Sequence, residues 1–391
     1  MSDQFTEVTS QGWFSRIGDS IKGLLFGGVL FVAAFPLLWW NEGRAVQTYK
    51  SLQEGRGAVV SVKAEAPDPA NESRLVHLSG QASTQETLVD PLFLVKEQAI
   101  RLNRKAEIYQ WLEQKKSEKR KKLGGGEETV TTYTYTKDWH EGLVDSSNFK
   151  EPAGHANSSQ LPFKSESWQA RDVKVGAFQL SEGLAGSIRR SVDVAYTQQA
   201  LDALPAALKA KARLQGTGLF VGGDPSSPSV GDARISFSKV PPADVSIIAQ
   251  QTGARLGPYQ TRAGDRLEML DAGILGADVM FKGAEQANTV MTWILRFVGF
   301  LVMLFGMLML LRPVRVLADV VPFLGTLVGM GLGLVAFAVA APLTLLTIAL
   351  AWVAHRPVLG ISLIVVALAL GGWLIARGMQ KRRSLPVRAT A

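Results

Sequence analysis

Cysteine is absent from all 391 residues. Its absence excludes disulfides and thiolate metal sites, so any domain outside the cytosol must hold together by its own core. Histidine is scarce. The four, His77, His140, His155 and His355, form no H-E-x-x-H or comparable ligand spacing. No G-x-S-x-G nucleophile elbow occurs. The glycines of Gly216–Gly223 lack both the G-x-G-x-x-G spacing and a following Lys-Ser/Thr, so this segment reads as a turn rather than a phosphate loop. Asp138, His140 and Glu141 flank Trp139 and offer metal-binding atoms, but a polar strand end explains them more simply. The expectation is a chain with no catalytic, cofactor-binding or metal-ligating residues.

Charge is also nearly missing from four long stretches: Gly23–Trp40, Trp293–Leu311 (with Arg296 alone), Val320–Ala354 and Val358–Ala376. A hydrocarbon core about 30 Å thick needs roughly 20 apolar helical residues, so each is long enough to span. Lipid offers backbone groups no water, which makes these segments helices rather than open sheet. The fold class that follows is an integral membrane α-helical protein with four transmembrane helices, one N-terminal and three C-terminal. A large α+β extracytoplasmic domain is inserted between spans 1 and 2. The expected parts are a cytoplasmic interfacial tail (1–22), span 1 (23–40), the periplasmic or lumenal domain (41–291) and span 2 (292–311). A cytoplasmic loop (312–319), a long or kinked span 3 (320–354), span 4 (358–376) and a basic cytoplasmic tail (377–391) follow.

Details of the flanks fit that plan. Ser10 reads as an N-cap, and Trp13, Phe14, Ile17 and Ile21 fall on one helical face that suits the headgroup region. Trp39, Trp40 and Trp293 read as interfacial anchors. Three acids precede the first apolar run and no A-x-A site follows it, so it reads as an uncleaved signal anchor. Pro36 is expected to kink its end, and Asn41-Glu-Gly-Arg44 to turn the chain outward. Orientation comes from the short basic flanks. Arg16 and Lys22, Arg312 and Arg315, and the acid-free tail with Arg377, Lys381, Arg382, Arg383 and Arg388 all fall on one side, which is cytoplasmic by the positive-inside rule. With these flanks counted, little of the net charge of +8 is left for residues 41–291, which argues against nucleic-acid binding.

Within residues 41–291, alternation predicts strands near Gly57–Ala64, Leu75–Ala82, Ile108–Gln114 and, most clearly, Thr129–Lys137. Ile108–Lys137 reads as a hairpin whose charged tip carries Lys115, Lys116, Lys119, Arg120, Lys121 and Lys122. Those cations suit anionic headgroups or an acidic partner; the simpler account is a solvated hairpin end. Thr197–Leu214 reads as helix cut by Pro205. Arg234–Lys239 and Val245–Gln250 read as a strand pair across Pro241-Pro242. Ala277–Thr292 reads as helix running into the second span.

Polar chemistry within the membrane is as sparse as catalysis outside it. No Asp, Glu, Lys or His lies within a span, and Arg296, near the outer end of the second, is explained by snorkelling. What the spans do carry is small residues four apart. Gly325, Gly329 and Gly333 share one face of the third span, and Gly23 and Gly27 repeat the spacing in the first. Such faces pack helices within one chain or between copies.

Several short motifs, in order along nearly the whole chain, resemble the transmembrane protein 43 (LUMA) family. They are Ser10-Gln-Gly-Trp-Phe14, Asn41-Glu-Gly-Arg44, Tyr109-Gln-Trp111, Trp139 with Asn148-Phe149, and Val230-Gly-Asp-Ala-Arg-Ile-Ser-Phe237. Leu343-Thr-Leu-Leu-Thr347, Trp352 and Arg356-Pro357 complete the set. The resemblance implies one amino-terminal span, a large lumenal or periplasmic domain and three carboxy-terminal spans. It also implies a non-catalytic scaffold that oligomerises, organises membrane protein complexes and needs no cofactor. Its partners would be the lipid bilayer, copies of itself and other membrane proteins, with no nucleic acid. The alternatives are a channel or channel-regulating subunit and, more distantly, a membrane-anchored enzyme. The cysteine-free, Ala/Gly/Arg-rich composition looks bacterial, which would place the chain in the cytoplasmic membrane; a eukaryotic member would sit in the endoplasmic reticulum or inner nuclear membrane.

Overall fold

The structure is a computed structural model and describes residues 3–356. The expected fourth span, 358–376, and the basic tail, 377–391, lie outside the described residues. The chain divides into two compact units. Among the described residues, one is built from 3–11, Ser51–Lys122 and Glu127–Ala284, the other from Gly12–Lys50, Leu123–Gly126 and 285–356.

The first unit is mostly sheet. Its principal strands are β1 (Asp3–Gln11), β2 (Leu75–Ser83), β3 (Arg101–Lys121), β4 (Glu127–Glu141), β5 (Ala212–Gln215), β6 (Gly218–Val221), β7 (Ala233–Val240) and β8 (Ala243–Thr252). An eight-stranded sheet runs β1-β4-β3-β7-β6-β5, with short strands Val192–Val194 on β7 and Glu166–Gln169 on β3. A second, seven-stranded sheet centres on β8, which pairs antiparallel with β2 from Ala243↔Ala82 to Gln250↔Leu75. The pairings from β8 through Arg255–Gly257, Phe178–Gln179, Lys174–Val175 and β2 close back on β8.

One apolar cluster takes side chains from both sheets, among them Val76, Leu78, Leu102, Ile235, Phe237, Val245 and Ile247. Each fully buried side chain of this size contributes about 1.5–3 kcal/mol. Strand β8 is buried almost without alternation, Ser246 and Gln251 included, whereas β7 alternates buried and exposed over most of its length. Set into this core is a charged group. Arg104 donates to Asp90 at 2.6 Å and to Glu166 at 2.8 Å, and Asp90 also accepts the backbone N–H of Leu92 and Phe93.

Several expectations are corrected here. Residues 3–11 are a strand, not the approach to a helix capped by Ser10. The run Gln4-Phe-Thr-Glu-Val-Thr9 is rich in strand formers and pairs along β4 from Asp3↔Tyr135 to Gln11↔Glu127. Strands that share hydrogen bonds share one side of a bilayer, so one crossing does not separate the whole of 1–22 from the whole of 41–291. Gly218–Val221, within the expected turn, is a fully buried strand. Strands β7 and β8, expected to pair across Pro241-Pro242, enter different sheets. The hairpin is present as β3–β4 and is longer than expected, with Lys115–Lys121 inside β3. Leu75–Ser83 follows the sequence, and short helices flank Pro205 as expected, but the helix read over Thr197–Leu214 stops at Lys209 and residues 212–214 belong to β5.

The second unit is helical. Its elements are α1 (Trp13–Ala58), which continues into the first unit from Ser51, α2 (Ala277–Leu310), α3 (Arg312–Ala318) and α4 (Pro322–His355). Among the described residues, three helices are long and apolar enough to cross a membrane: α1, α2 and α4. At 1.5 Å per residue, α1 is roughly 70 Å long, more than twice a hydrocarbon core. Asn41–Arg44 is therefore helix and not a turn, and Pro36 lies inside it. The connection 312–319 is largely helix α3, started by Pro313. From Pro322 onward the segment is one continuous helix, Pro322–His355, that contains Pro342, without a re-entrant piece.

Candidate functional site

Four consecutive residues on α1 organise the helical unit. Successive helical residues are 100° apart, so Asn41, Glu42, Gly43 and Arg44 address different neighbours. Asn41 Nδ2 donates to the Thr292 carbonyl at 3.1 Å. Arg44 donates to Asn288 Oδ1 at 3.0 Å, Thr292 Oγ1 at 3.1 Å and Asn41 Oδ1 at 3.3 Å. Asn288 Nδ2 returns a bond to the Ala45 carbonyl at 3.0 Å. Asn288, Thr292 and Arg296 recur every fourth residue, so they form one stripe of α2.

The third member of that stripe makes the strongest contact. Arg296 Nε and Nη2 donate to the two carboxylate oxygens of Glu42 at 2.6 and 2.9 Å. Glu42 is 2% exposed. The guanidinium also lies 4.7 Å from the Trp293 ring centroid. A planar fork meeting a carboxylate in this way gives both charge pairing and fixed geometry. Arg296 therefore does not simply snorkel; it has a buried partner on another helix. Gly43 serves a different neighbour. A Cβ there would lie 2.7 Å from His355 Nε2, so the missing side chain admits the end of α4. His355 bonds the Ala351 carbonyl through Nδ1 at 2.8 Å and meets the Trp39 ring edge-on at 5.6 Å.

A second polar cluster sits at the start of α1. Arg16 donates to Asp319 Oδ2 at 2.6 Å and to the Gly125 carbonyl at 2.5 Å, while Trp13 Nε1 donates to the Val316 carbonyl at 2.9 Å. Asp319 is 1% exposed. Gly125 has φ +78°, and the Trp13 indole occupies the space that a Cβ there would need. Trp13 is thus packed inside the unit, whereas Phe14 beside it is exposed. Trp39, Trp40 and Trp293 are all partly exposed on the helices, as an interfacial anchor requires.

The expected packing glycines separate into distinct environments. Gly27 abuts Gly306 and Met309 of α2. Gly23 has ordinary contact with Arg312. A Cβ on Gly325 would collide with Asp319, and one on Gly329 would lie 2.9 Å from Arg315 Nε. Gly333 has no described atom within 4 Å of its Cβ position. Gly299 and Gly306, not singled out from sequence, are the close-approach positions of α2, against Leu38 and Phe31.

The basic residues of the hairpin are paired rather than clustered against a common target. Lys116 and Arg120 face Glu118, Lys119 faces Glu127, and Lys122 faces Glu128. Lys115 Nζ lies 5.6 Å from the Tyr133 ring, and Lys121 is also engaged. Asp138, His140 and Glu141 do not converge; Asp138 accepts the Trp139 N–H, and His140 Nδ1 lies 3.4 Å from the Gly142 carbonyl. Among the described residues, no three His, Asp or Glu side chains gather to hold a metal ion.

Comparison with known proteins gives one answer. Residues 108–357 match the family model described as Transmembrane protein 43. Transmembrane protein 43 of Mus musculus is 34% identical over 96% of this chain and 95% of its own length. That of Homo sapiens is 34% identical over 94% and 92%, and the Transmembrane protein 43 homolog of Drosophila melanogaster 32% over 87% and 90%. No solved structure matches the chain.

Proposed function

The chain belongs to the transmembrane protein 43 family, and from that premise we propose that it is a non-catalytic, multi-pass membrane scaffold. In this reading the helical unit is a fixed support, and the sheet-built unit binds a protein partner or further copies of the chain. The observation that carries the proposal is the Asn41–Arg44 lock. A transporter uses intramembrane charges to bind or relay its cargo. In this chain the charges bordering the apolar windows bind one another across helices, as Glu42 does Arg296 and Arg16 does Asp319. Ion pairs of that kind favour one helix arrangement over many.

The proposal extends to four spans, with 358–376 as the last, supported by its charge-free apolar length. The bacterial cytoplasmic membrane remains part of it, supported by the cysteine-free composition. The face at Gly333, where no described atom lies within 4 Å of a Cβ position, is the one we assign to contact between copies.

The test is crosslinking of the full-length protein in native membranes, with partner identification, alongside ion flux from purified protein in liposomes. Reproducible homo-oligomers or a defined partner, with flux at the level of empty liposomes, are expected. Selective current would replace the scaffold by a channel, and a crosslinking pattern of monomer alone would remove it.

A further inference from the structure

At the end where α4 stops, the helical unit leaves one positive charge without a counter-ion. Two arginines that border the apolar windows hold acids, Arg16 with Asp319 and Arg296 with Glu42. Arg356, which caps α4, is different. Its guanidinium lies 6.0 Å from the Tyr49 ring centroid of α1 and 5.5 Å from that of Trp352. Among the described residues no carboxylate pairs with it. Nor can the rest of the chain offer an acidic side chain, since residues 357–391 contain no Asp or Glu. Ring faces attract the charge of a guanidinium, yet its in-plane N–H donors still lack an oxygen acceptor from the described residues.

Toward the middle of the same two helices lies an apolar groove of about 350 Å³, a ligand-sized volume. Phe35, Pro36 and Trp39 of α1 and Leu343, Leu346 and Leu350 of α4 line it. Their three- and four-residue spacing puts each set on one helix face. Trp39 joins the groove to the charge. Its ring meets that of His355 edge-on at 5.6 Å, and His355 adjoins Arg356. At 1.5 Å per residue, Leu350 to Leu343 lie roughly 9–20 Å from Arg356 along the axis of α4. A bilayer about 40–45 Å thick around a core of about 30 Å confines headgroups to the outer ~5–8 Å of each leaflet, with acyl chains beneath. The groove therefore lies at acyl depth when Arg356 lies among headgroups.

We infer that α1 and α4 form a site for one anionic phospholipid, with its phosphate on Arg356 and an acyl chain in the groove. Charge complementarity selects this occupant. A guanidinium fork matches a phosphate in both charge and geometry. Segment 358–376 matches the groove in apolarity but carries no anion for Arg356. A zwitterionic lipid brings its own cation, so a lipid of net negative charge is preferred. Tyr49, Trp39 and Trp352 suit the boundary between headgroups and acyl chains, where aromatic rings with a polar edge collect. The inference is independent of what the sheet-built unit binds.

The test places the purified full-length protein in nanodiscs that contain, at equal mole fraction, either a phosphatidylglycerol or a phosphatidylcholine with a photoactivatable group in its acyl chain. Crosslinked residues are mapped by mass spectrometry. Phosphatidylglycerol should label the groove residues about fivefold more than phosphatidylcholine, the factor that one basic residue contributes at a lipid surface. Arg356→Gln should bring the two lipids to parity there. Equal labelling by both lipids in the parent overturns the site, and that comparison needs no variant. Absence of groove labelling by either lipid means that segment 358–376 or a second copy fills the space, which also overturns it. A preference that survives Arg356→Gln overturns the assignment of the phosphate to Arg356.

Discussion

Gly27 of α1 and Gly306 of α2 meet backbone to backbone. A Cβ on Gly27 would lie 2.9 Å from the Gly306 carbonyl oxygen, and one on Gly306 would lie 2.6 Å from the Phe31 nitrogen. The obstructing atoms are main chain and cannot rotate aside. Gly306→Leu should therefore force the helices apart and destabilise the helical unit by about 1–3 kcal/mol or more. Thermal melting of the purified protein in one detergent measures this, and an unchanged midpoint would refute the crossing.

The Glu42–Arg296 pair gives a sharper test because one partner is fully buried. Truncating either side leaves a charge without its counter-ion, and such losses cost about 3–5 kcal/mol at buried sites. Arg296 keeps some solvent and the Trp293 ring, so Glu42→Ala should fall near the lower end, about 3 kcal/mol. Arg296→Ala should cost no less, since it strands a carboxylate that is 2% exposed. The coupling energy from the double-mutant cycle should exceed about 1 kcal/mol. Additive single and double variants would mean that the contact holds nothing together.

The glycine stripe of α4 should divide rather than act as a unit. Gly325→Leu meets the main chain of Asp319 and should disturb the monomer. Gly329→Leu meets a flexible Arg315 side chain and should cost less. Gly333→Leu meets nothing among the described residues. Melting of the solubilised chain should fall in that order, with Gly333→Leu within about 0.5 kcal/mol of the parent. If copies associate through the Gly333 face, that substitution alone should change oligomeric size on gel filtration while leaving the melt intact.

Alkaline titration should pick out Tyr135. Burial raises its pKa to about 12, with the Glu113 hydrogen bond adding to the effect. The folded state therefore prefers the neutral phenol. The stability this contributes is complete below the unfolded value near 10 and is lost as pH rises towards 12. Tyr196, also raised to about 12 by burial, behaves alike. Absorbance titration of the folded protein should show two late tyrosines, and Tyr135→Phe should remove one.

Periodicity and hydropathy made the architecture legible in outline. The apolar windows at 23–40, 293–311 and 320–354 lie in α1, α2 and α4, and the Thr-Tyr alternation lies in β4. Signals that depend on distant partners did not yield to local reading. Asn41-Glu-Gly-Arg44 looks like a turn because it is polar, yet its polarity is matched by Asn288, Thr292 and Arg296 some 250 positions on. A single acid bordering one apolar window and a single base inside another were the available clue. Pro241-Pro242 looks like a hairpin because it joins two strands, but β7 finds β3 and β8 finds β2. Strand β1 is not legible locally, because an exposed edge strand carries only a weak alternation.

That exchange of partners at Pro241-Pro242 also dictates a schedule. Neither sheet can be completed until residues 233–252 have left the ribosome, since each supplies a neighbour to a strand made more than a hundred positions earlier. The apolar window of α1 emerges long before then and is available to the insertion machinery first. The nascent lobe must wait, tethered and incomplete, with strands β2 and β3 lacking those neighbours, and it is in this interval that the chain is most exposed to chaperones and to error.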